Sequence, residues 1–290
     1  MTREFESRAR GREHAARSSD AALRCPAVRY AQGAPSSTED ALALEEPLEI
    51  RIAGDPFTVT MRTPGYDEEL AAGFLFAEGL IASARDLGRI AHCGRPSDEG
   101  YGNVVDVAAA PGAVLDVEAL EERRRRTITA SACGVCGRRT IEDLVVRCGT
   151  VTDDTRFAAS VVSSLPAALR AAQPGFTATG GLHAAAIAGT DGRLVVVRED
   201  VGRHNAVDKV VGRLLLDGAL PARGRALVVS GRSSFEIVQK AIVAGIPLVA
   251  SVSAVSSLAA STAERAGVTL VGFARGSAFT AYTHPERIVP

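Results

Sequence analysis

The sequence predicts an α/β protein, with a small α+β module ahead of a larger sheet held between helices in an αβα layering. Three observations predict it. Residues 48–52 and 57–61 alternate apolar and polar side chains around Gly54-Asp55-Pro56, the period of a half-buried hairpin. Residues 67–79 then set Leu70, Ala71, Phe74 and Leu75 at the three-to-four spacing of one helix face. From residue 161 to 274, short apolar runs alternate with helix-length segments, the sequence form of a layered, partly parallel sheet.

Taken in order, residues 1–40 lack apolar periodicity and are rich in Ala, Arg, Ser and Glu. No apolar stretch follows their basic residues, so a disordered tail is expected and a secretory signal is not. The small module spans residues 41–126. It comprises the hairpin, the helix opening at Asp67, β-like runs at 87–91 and 103–108, and a charged segment from Glu118 to Arg126 ending in four arginines. Such a run is ordinarily a solvated face, and its place beside a cysteine pair leaves docking or anion binding open.

The larger unit spans residues 127–290. A helix over 161–172 leads through a polar, glycine-bearing crossing to a strand at 185–188, and Asp191-Gly192 turns the chain into a strand at 194–198. Glu199-Asp200-Val201-Gly202-Arg203-His204-Asn205 opens a helix through Val207, Val210, Val211 and Leu214. A strand at 226–230 meets Gly231-Arg232-Ser233-Ser234, and Ser233 and Glu236 have the spacing of a capping box for a helix over 235–244. A strand at 246–254, a helix at 256–266 and a strand at 268–274 complete the pattern.

The segment richest in chemistry is Ser131-Ala132-Cys133-Gly134-Val135-Cys136-Gly137. Glycine on both sides of Cys136 allows a tight turn and leaves both thiols open. Arg138, Arg139 and the helix start that follows favour thiolate over thiol. Three chemistries suit the pair: half of a structural zinc site, which needs two more ligands that only His92-Cys93 could supply compactly; a dithiol redox site; or a persulfide carrier. Spacing does not choose among them. Five cysteines, an odd number, argue against a disulfide scaffold and for a reducing compartment.

Composition narrows the function classes. At 290 residues, 46% of them hydrophobic, the chain supports a sizeable core. A formal charge of −1 gives no pull towards nucleic acid or a membrane surface, and no apolar run is long enough to span a bilayer. Of 33 basic residues only Lys209 and Lys240 are lysine.

In sheets of this kind ligands gather at the loops leaving the strands. Three such loops carry arginine. Ser230-Gly231-Arg232-Ser233-Ser234 joins hydroxyls and a guanidinium at a helix start, where phosphate is favoured. Arg203 and His204 stand at a second helix start with Asp200 and Asn205, and Phe273-Ala274-Arg275-Gly276-Ser277-Ala278 leaves the last strand with an aromatic face and a guanidinium. Together they predict a nucleotide-like anionic ligand. His183 raises a zinc deaminase as competitor, but Ala185 stands where the catalytic glutamate of an H-x-E motif belongs, and Ala132 where proline precedes the cysteines. His183 therefore reads as a hydrogen-bonding pocket residue.

The ordered motifs 64–75, 131–137, 179–185, 199–209, 230–236 and Arg275-Gly276 closely resemble the formate dehydrogenase accessory sulfurtransferase family, FdhD, over roughly residues 45–290. The resemblance implies a cytoplasmic protein, similar in its larger domain to cytidine deaminases and working as a homodimer. Such a protein takes sulfane sulfur from a cysteine desulfurase and passes it to the molybdenum bis(molybdopterin guanine dinucleotide) cofactor. That cofactor is a bound substrate, needed by the formate dehydrogenase catalytic subunit, and no tightly held metal of the protein's own is implied. It further implies that Cys133 and Cys136 carry the sulfur, and that Phe273, Ala274, Arg275, Gly276, Ser277 and Ala278 bind the cofactor. A non-catalytic cofactor chaperone with a zinc or redox cysteine pair is the alternative. The arginine-bearing N-terminal extension has no matching family motif.

Overall fold

The structure is a computed structural model and describes residues 21–95, 101–118 and 149–290. It contains two main sheets. The smaller has four strands, β3 (Glu46–Ile52), β4 (Asp55–Arg62), β5 (Leu87–His92) and β6 (Val104–Ala109), in the order β4-β3-β6-β5. The larger has six: β8 (His183–Ala188), β9 (Leu194–Asp200), β10 (Ala226–Val229), β11 (Leu248–Ser251), β12 (Thr269–Arg275) and β13 (Ala278–Thr283), in the order β13-β12-β11-β10-β8-β9. Its β10, β11 and β12 are parallel, while β8 and β9 run antiparallel beside β10 and β13 runs antiparallel beside β12. A short parallel pair, β7 (Phe157–Ala158) with β14 (Ile288–Val289), ties the C-terminus back.

Period-two alternation in the large sheet sends its side chains into two apolar layers. Ala184, Ala186, Val228, Ala250 and Val271 face α2 (Ala159–Ala171) through Val162, Leu165 and Leu169. Ile187, Leu227, Val229, Val249 and Leu270 face the opposite way, towards α4 (Arg203–Leu216), α5 (Phe235–Val243) and α6 (Ser257–Ala266). Helices therefore cover both faces, as the alternation predicts.

The second layer does not stop at the larger unit. Leu48, Ile50, Val105 and Val107 of the small sheet share it, bridged by Leu70, Ala71 and Leu75 of α1 (Asp67–Glu78). The joint is α1 crossing α4, and glycine sets its closeness. A Cβ built on Gly212 overlaps the carbonyl oxygen of Glu69 and lies 2.7 Å from its carbon and 2.8 Å from the amide nitrogen of Gly73. One on Gly73 overlaps the carbonyl of Asp208. The two backbones meet directly, and no side chain larger than hydrogen fits between them.

Three expectations are corrected. Residues 22–40 do not form a tail: β1 (Ala22–Ala31) and β2 (Ala34–Ala43) are an antiparallel hairpin joined at Gln32-Gly33, whose φ values of 51° and 82° fit a two-residue turn with positive φ at both positions. Strands built from Ala, Ser, Pro and Glu carry little β propensity, and glutamine is unusual at that turn position, so the hairpin had no strong sequence signal. The capping box is also absent. The N-cap of α5 is Ser234, one residue after the expected one, and its side chain makes no capping bond. The strand predicted over 246–254 is only β11, because residues 252–256 leave the sheet as a loop. The predicted domain boundary at 126/127 lies outside the described residues.

Gly→Ala within a helix ordinarily stabilises it by about 0.5–1 kcal/mol. At Gly212 the sign should reverse, with a loss on the order of 2 kcal/mol or more from forced separation of the two backbones. Denaturant unfolding checks this, and a Gly212→Ala midpoint equal to or above wild type would contradict the crossing.

Candidate functional site

Strand direction assembles the site. The carboxyl ends of β10, β11 and β12 share one edge of the large sheet, and antiparallel pairing brings the first residue of β8, His183, and the last of β9, Asp200, to the same edge. Two helix starts, those of α4 and α5, open there. The Cβ position of Gly231 is 3.5 Å from His183 Nδ1 and 3.6 Å from Arg203 Cδ, so glycine lets these side chains close on the loop. His204 Nε2 lies 3.3 Å from Ser234 Oγ. Ser230 Oγ accepts from the Ala184 amide at 2.9 Å, locking the loop to β8. His183, Arg203, His204, Ser230, Gly231, Arg232 and Ser233 are thus brought to one edge.

The 273–278 segment joins through a loop that sequence reading treated as strand. Ser233 donates its amide to Ala254 O, and Phe273 donates its amide to Ser253 O at 3.0 Å. Residues 252–256 therefore lie between the other two loops. The available signal was Val255-Ser256 ahead of a helix, a Ser-then-helix form like that of Ser233-Ser234. Register shifts by one residue between Gly272 and Arg275 against β13, a bulge of the kind that re-aims a side chain. Phe273 takes φ +52° there, and its ring is half exposed. Arg275 and Arg232 are exposed, and neither forms an ion pair among the described residues. Gly276 has φ +57° in the turn before Ser277, and Ala278 opens β13 on the surface. Ala274 is a correction: it is fully buried in the α2-side core, because the residue after an outward-turned Phe273 faces back into the sheet.

Polar groups at this edge await a partner. Arg203 Nε and Ser233 Oγ are buried without a hydrogen bond, and Ser233 is 0% exposed. Neither α4 nor α5 has a side-chain cap, whereas α6 is capped by Ser256. Burial lowers the pKa of His204 to about 4, helped by the Arg203 charge, and lowers that of His183 for the same two reasons. Both imidazoles are neutral at pH 7. Two helix N-termini, a guanidinium and an orphaned hydroxyl fit an anion, phosphate above all.

The rest of the 199–209 motif is structural. Glu199 accepts from the amides of Gly175 and Phe176 at 2.8 and 2.7 Å, capping α3 (Pro174–Thr179). Asp200, 0% exposed, pairs with Lys209 Nζ at 2.7 Å and accepts from Gly202 N, Asn205 Nδ2 and Thr63 N. Lys209 also donates to Thr63 O at 2.8 Å, and Asn205 to Met61 O at 2.7 Å. Asp200 and Asn205, expected beside the ligand, instead bind the end of β4 and the Thr63 that follows it.

Cys133, Cys136, Arg138 and Arg139 lie outside the described residues, so the structure does not place the cysteine pair against this edge. Cys25 and Cys93 are partly buried free thiols. Among the described residues no cluster of three His, Cys, Asp or Glu could hold a metal ion, and no helix is long and apolar enough to cross a membrane.

Comparison with known proteins agrees with the motif reading. The sequence model of the FdhD/NarQ family matches residues 43–289. The sulfur carrier protein FdhD of Anaeromyxobacter sp. (strain K) is 52% identical over 258 residues, covering 87% of this chain and 90% of that protein. Its namesake from Streptomyces avermitilis is 50% identical over 266 residues, covering 90% and 93%, and that from Mycobacterium tuberculosis 48% over 257, covering 86% and 92%. A crystal structure described as a candidate formate dehydrogenase accessory protein from Desulfotalea psychrophila superposes with a TM-score of 0.73 at 26% identity, covering 92% of this chain and 99% of that one.

A phenylalanine in the left-handed region costs about 1–2 kcal/mol. Phe273→Gly relieves that cost while removing the ring. The variant should unfold no more easily than wild type, and any guanine nucleotide affinity should fall by roughly 5- to 150-fold, through the loss of about 1–3 kcal/mol of base stacking. Equal affinity by titration calorimetry would take the ring out of the site.

Proposed function

The chain belongs to the FdhD/NarQ family, and from that premise we propose that it is a sulfur carrier in formate dehydrogenase maturation, relaying sulfur as a cysteine persulfide to a guanine-dinucleotide molybdenum cofactor held as substrate. The observation that carries the binding half is the orphaned Arg203 Nε and Ser233 Oγ beside two uncapped helix starts. On this reading Arg203, His183, Ser230, Gly231 and Ser233 receive phosphate. Arg232 and Arg275 add charge from the rim, and Phe273 takes a guanine face. The layered sheet is deaminase-like in this reading, with Ala185 marking the absence of deaminase chemistry.

The sulfur half rests on the Cys133–Cys136 spacing. Cys133 thiolate attacks the outer sulfur of a cysteine desulfurase persulfide. The desulfurase S–S bond breaks, its electron pair leaves on the desulfurase thiolate, and Cys133 holds the new persulfide without net redox change. Cys136 thiolate then attacks the Cys133 sulfur. That S–S bond breaks, hydrosulfide passes to the substrate's metal, and the two cysteines close a disulfide that a cellular dithiol reduces again. Arg138 and Arg139 favour both thiolates. The partners are the desulfurase, the formate dehydrogenase catalytic subunit and a second copy of this chain, in the cytoplasm.

Desulfurase and cysteine should add about 32 Da per sulfur to the 131–137 peptide, as expected for persulfidation. Cys133→Ala/Cys136→Ala should bind GDP as wild type does, yet give inactive formate dehydrogenase when it replaces the native protein in cells. Full enzyme activity with the double variant would favour the chaperone reading instead, and label on Cys25, Cys93 or Cys148 would reassign the carrier.

A further inference from the structure

Resting on the anion-binding reading above, one group at the edge has a charge that depends on the ligand. His204 is the second residue of α4, where the helix dipole opposes an imidazolium. Around it stand Arg203 on the same helix, Lys240 from α5 and His183 from β8, none of which favours a further positive charge. The carboxylates nearby are few. Glu236 of α5 is 3.9 Å from Nε2, while Asp208, one turn along α4, is committed to Lys240 at 2.5 Å. The ring is anchored to Ser234 Oγ at the start of α5, and the orphaned Ser233 Oγ belongs to the adjacent residue. His204 is thus held in position for an anion, with every neighbour except Glu236 set against its own ionisation.

We propose that His204 contacts the ligand's phosphate as an imidazolium, taking up its proton only when that phosphate is seated. The missing counter-charge is the phosphate itself, which adds what Glu236 alone does not supply. Free protein holds His204 neutral, with a pKa of about 4 set first by burial and then by Arg203. A bound oxyanion raises that value. The sign follows from linkage. Affinity is greatest below the free-protein value of about 4, falls as pH rises from there to the pKa in the complex and levels off above it, so within that window release of ligand accompanies release of a proton. With His204 neutral until an oxyanion is seated, the cleft holds one cation fewer than it has in the complex, which limits capture of stray cellular phosphates. Phosphate on a nucleoside diphosphate, within a dinucleotide or free in solution presents the same oxyanion, so the ligand class is the phosphate group.

Titration calorimetry of the full chain with GDP, in two phosphate-free buffers of different ionisation enthalpy, counts the protons. Wild type should take up more protons than His204→Gln, and its GDP affinity should fall by up to about tenfold per pH unit between the free-protein value of about 4 and the pKa in the complex. Titrations of GDP itself and of Asp208, whose burial pushes it up to about 6, are common to both proteins and cancel in the comparison. Inorganic pyrophosphate should show the same excess uptake, and an excess seen with GDP but not with bound pyrophosphate would overturn the phosphate contact. Equal uptake by wild type and His204→Gln, with GDP still bound, would overturn the proposal and leave the anion site standing. Absence of GDP and pyrophosphate binding at any pH would instead remove the anion site itself. The imidazole ring resonances of wild type report the same protonation with no substitution, should His204→Gln fail to fold.

Discussion

The ion pair between Asp200 and Lys209 is the constraint on which the two halves of the molecule depend. Both groups are buried, and an unpaired charge at such depth would cost several kcal/mol. The pair is tolerated because its hydrogen-bonding capacity is used. Asp200 accepts from Lys209, Gly202, Asn205 and Thr63, and Lys209 finds a second acceptor in the Thr63 carbonyl. Thr63 leaves β4 of the small sheet, whereas Asp200 ends β9 of the large one. Removing either charge strands the other, and because the amide and carbonyl of Thr63 are both spent on this pair, the small sheet is tied to a node buried in the large half. The glycine crossing of α1 and α4 is a second tie between the halves, its closeness set by Gly73 and Gly212.

That node also aims the cleft. Once Asp200 fixes Gly202 and Asn205, the first turn of α4 has little freedom, and Arg203 and His204 are left on the open side. One short motif thus divides its labour by helix geometry. Asp200, Asn205 and Lys209 turn inward to hold the interface, and Arg203 and His204 face the loops of β10. An array of donors held by buried bonds needs little reorganisation when an anion arrives, which is the physical basis of selective phosphate binding at helix starts.

Much of this was legible in the chain. Hydrophobic period placed the helices and the central strands because each has one face in a core. The convergence of His183, Arg203 and residues 230–234 followed from the rule that ligands meet strand ends. Less legible was whatever depends on contact between distant residues. Nothing local marks Asp200 and Asn205 as interface rather than ligand groups, since both stand at a helix start rich in polar side chains. Ala274 looked like part of a binding segment because the bulge that reverses its direction is a matter of register with β13. The first hairpin was missed because small and polar residues form strands there with little propensity of their own.

The two lysines of the chain have a practical consequence. Lys209 is 1% exposed and Lys240 is 8%, each held by a carboxylate, while the accessible cations are arginines. Reagents that acylate or cross-link lysine amines will therefore find no open lysine side chain on the folded protein. Lysine labelling becomes a clock for opening around α4, because Lys209 lies on that helix and Lys240 is paired with its Asp208.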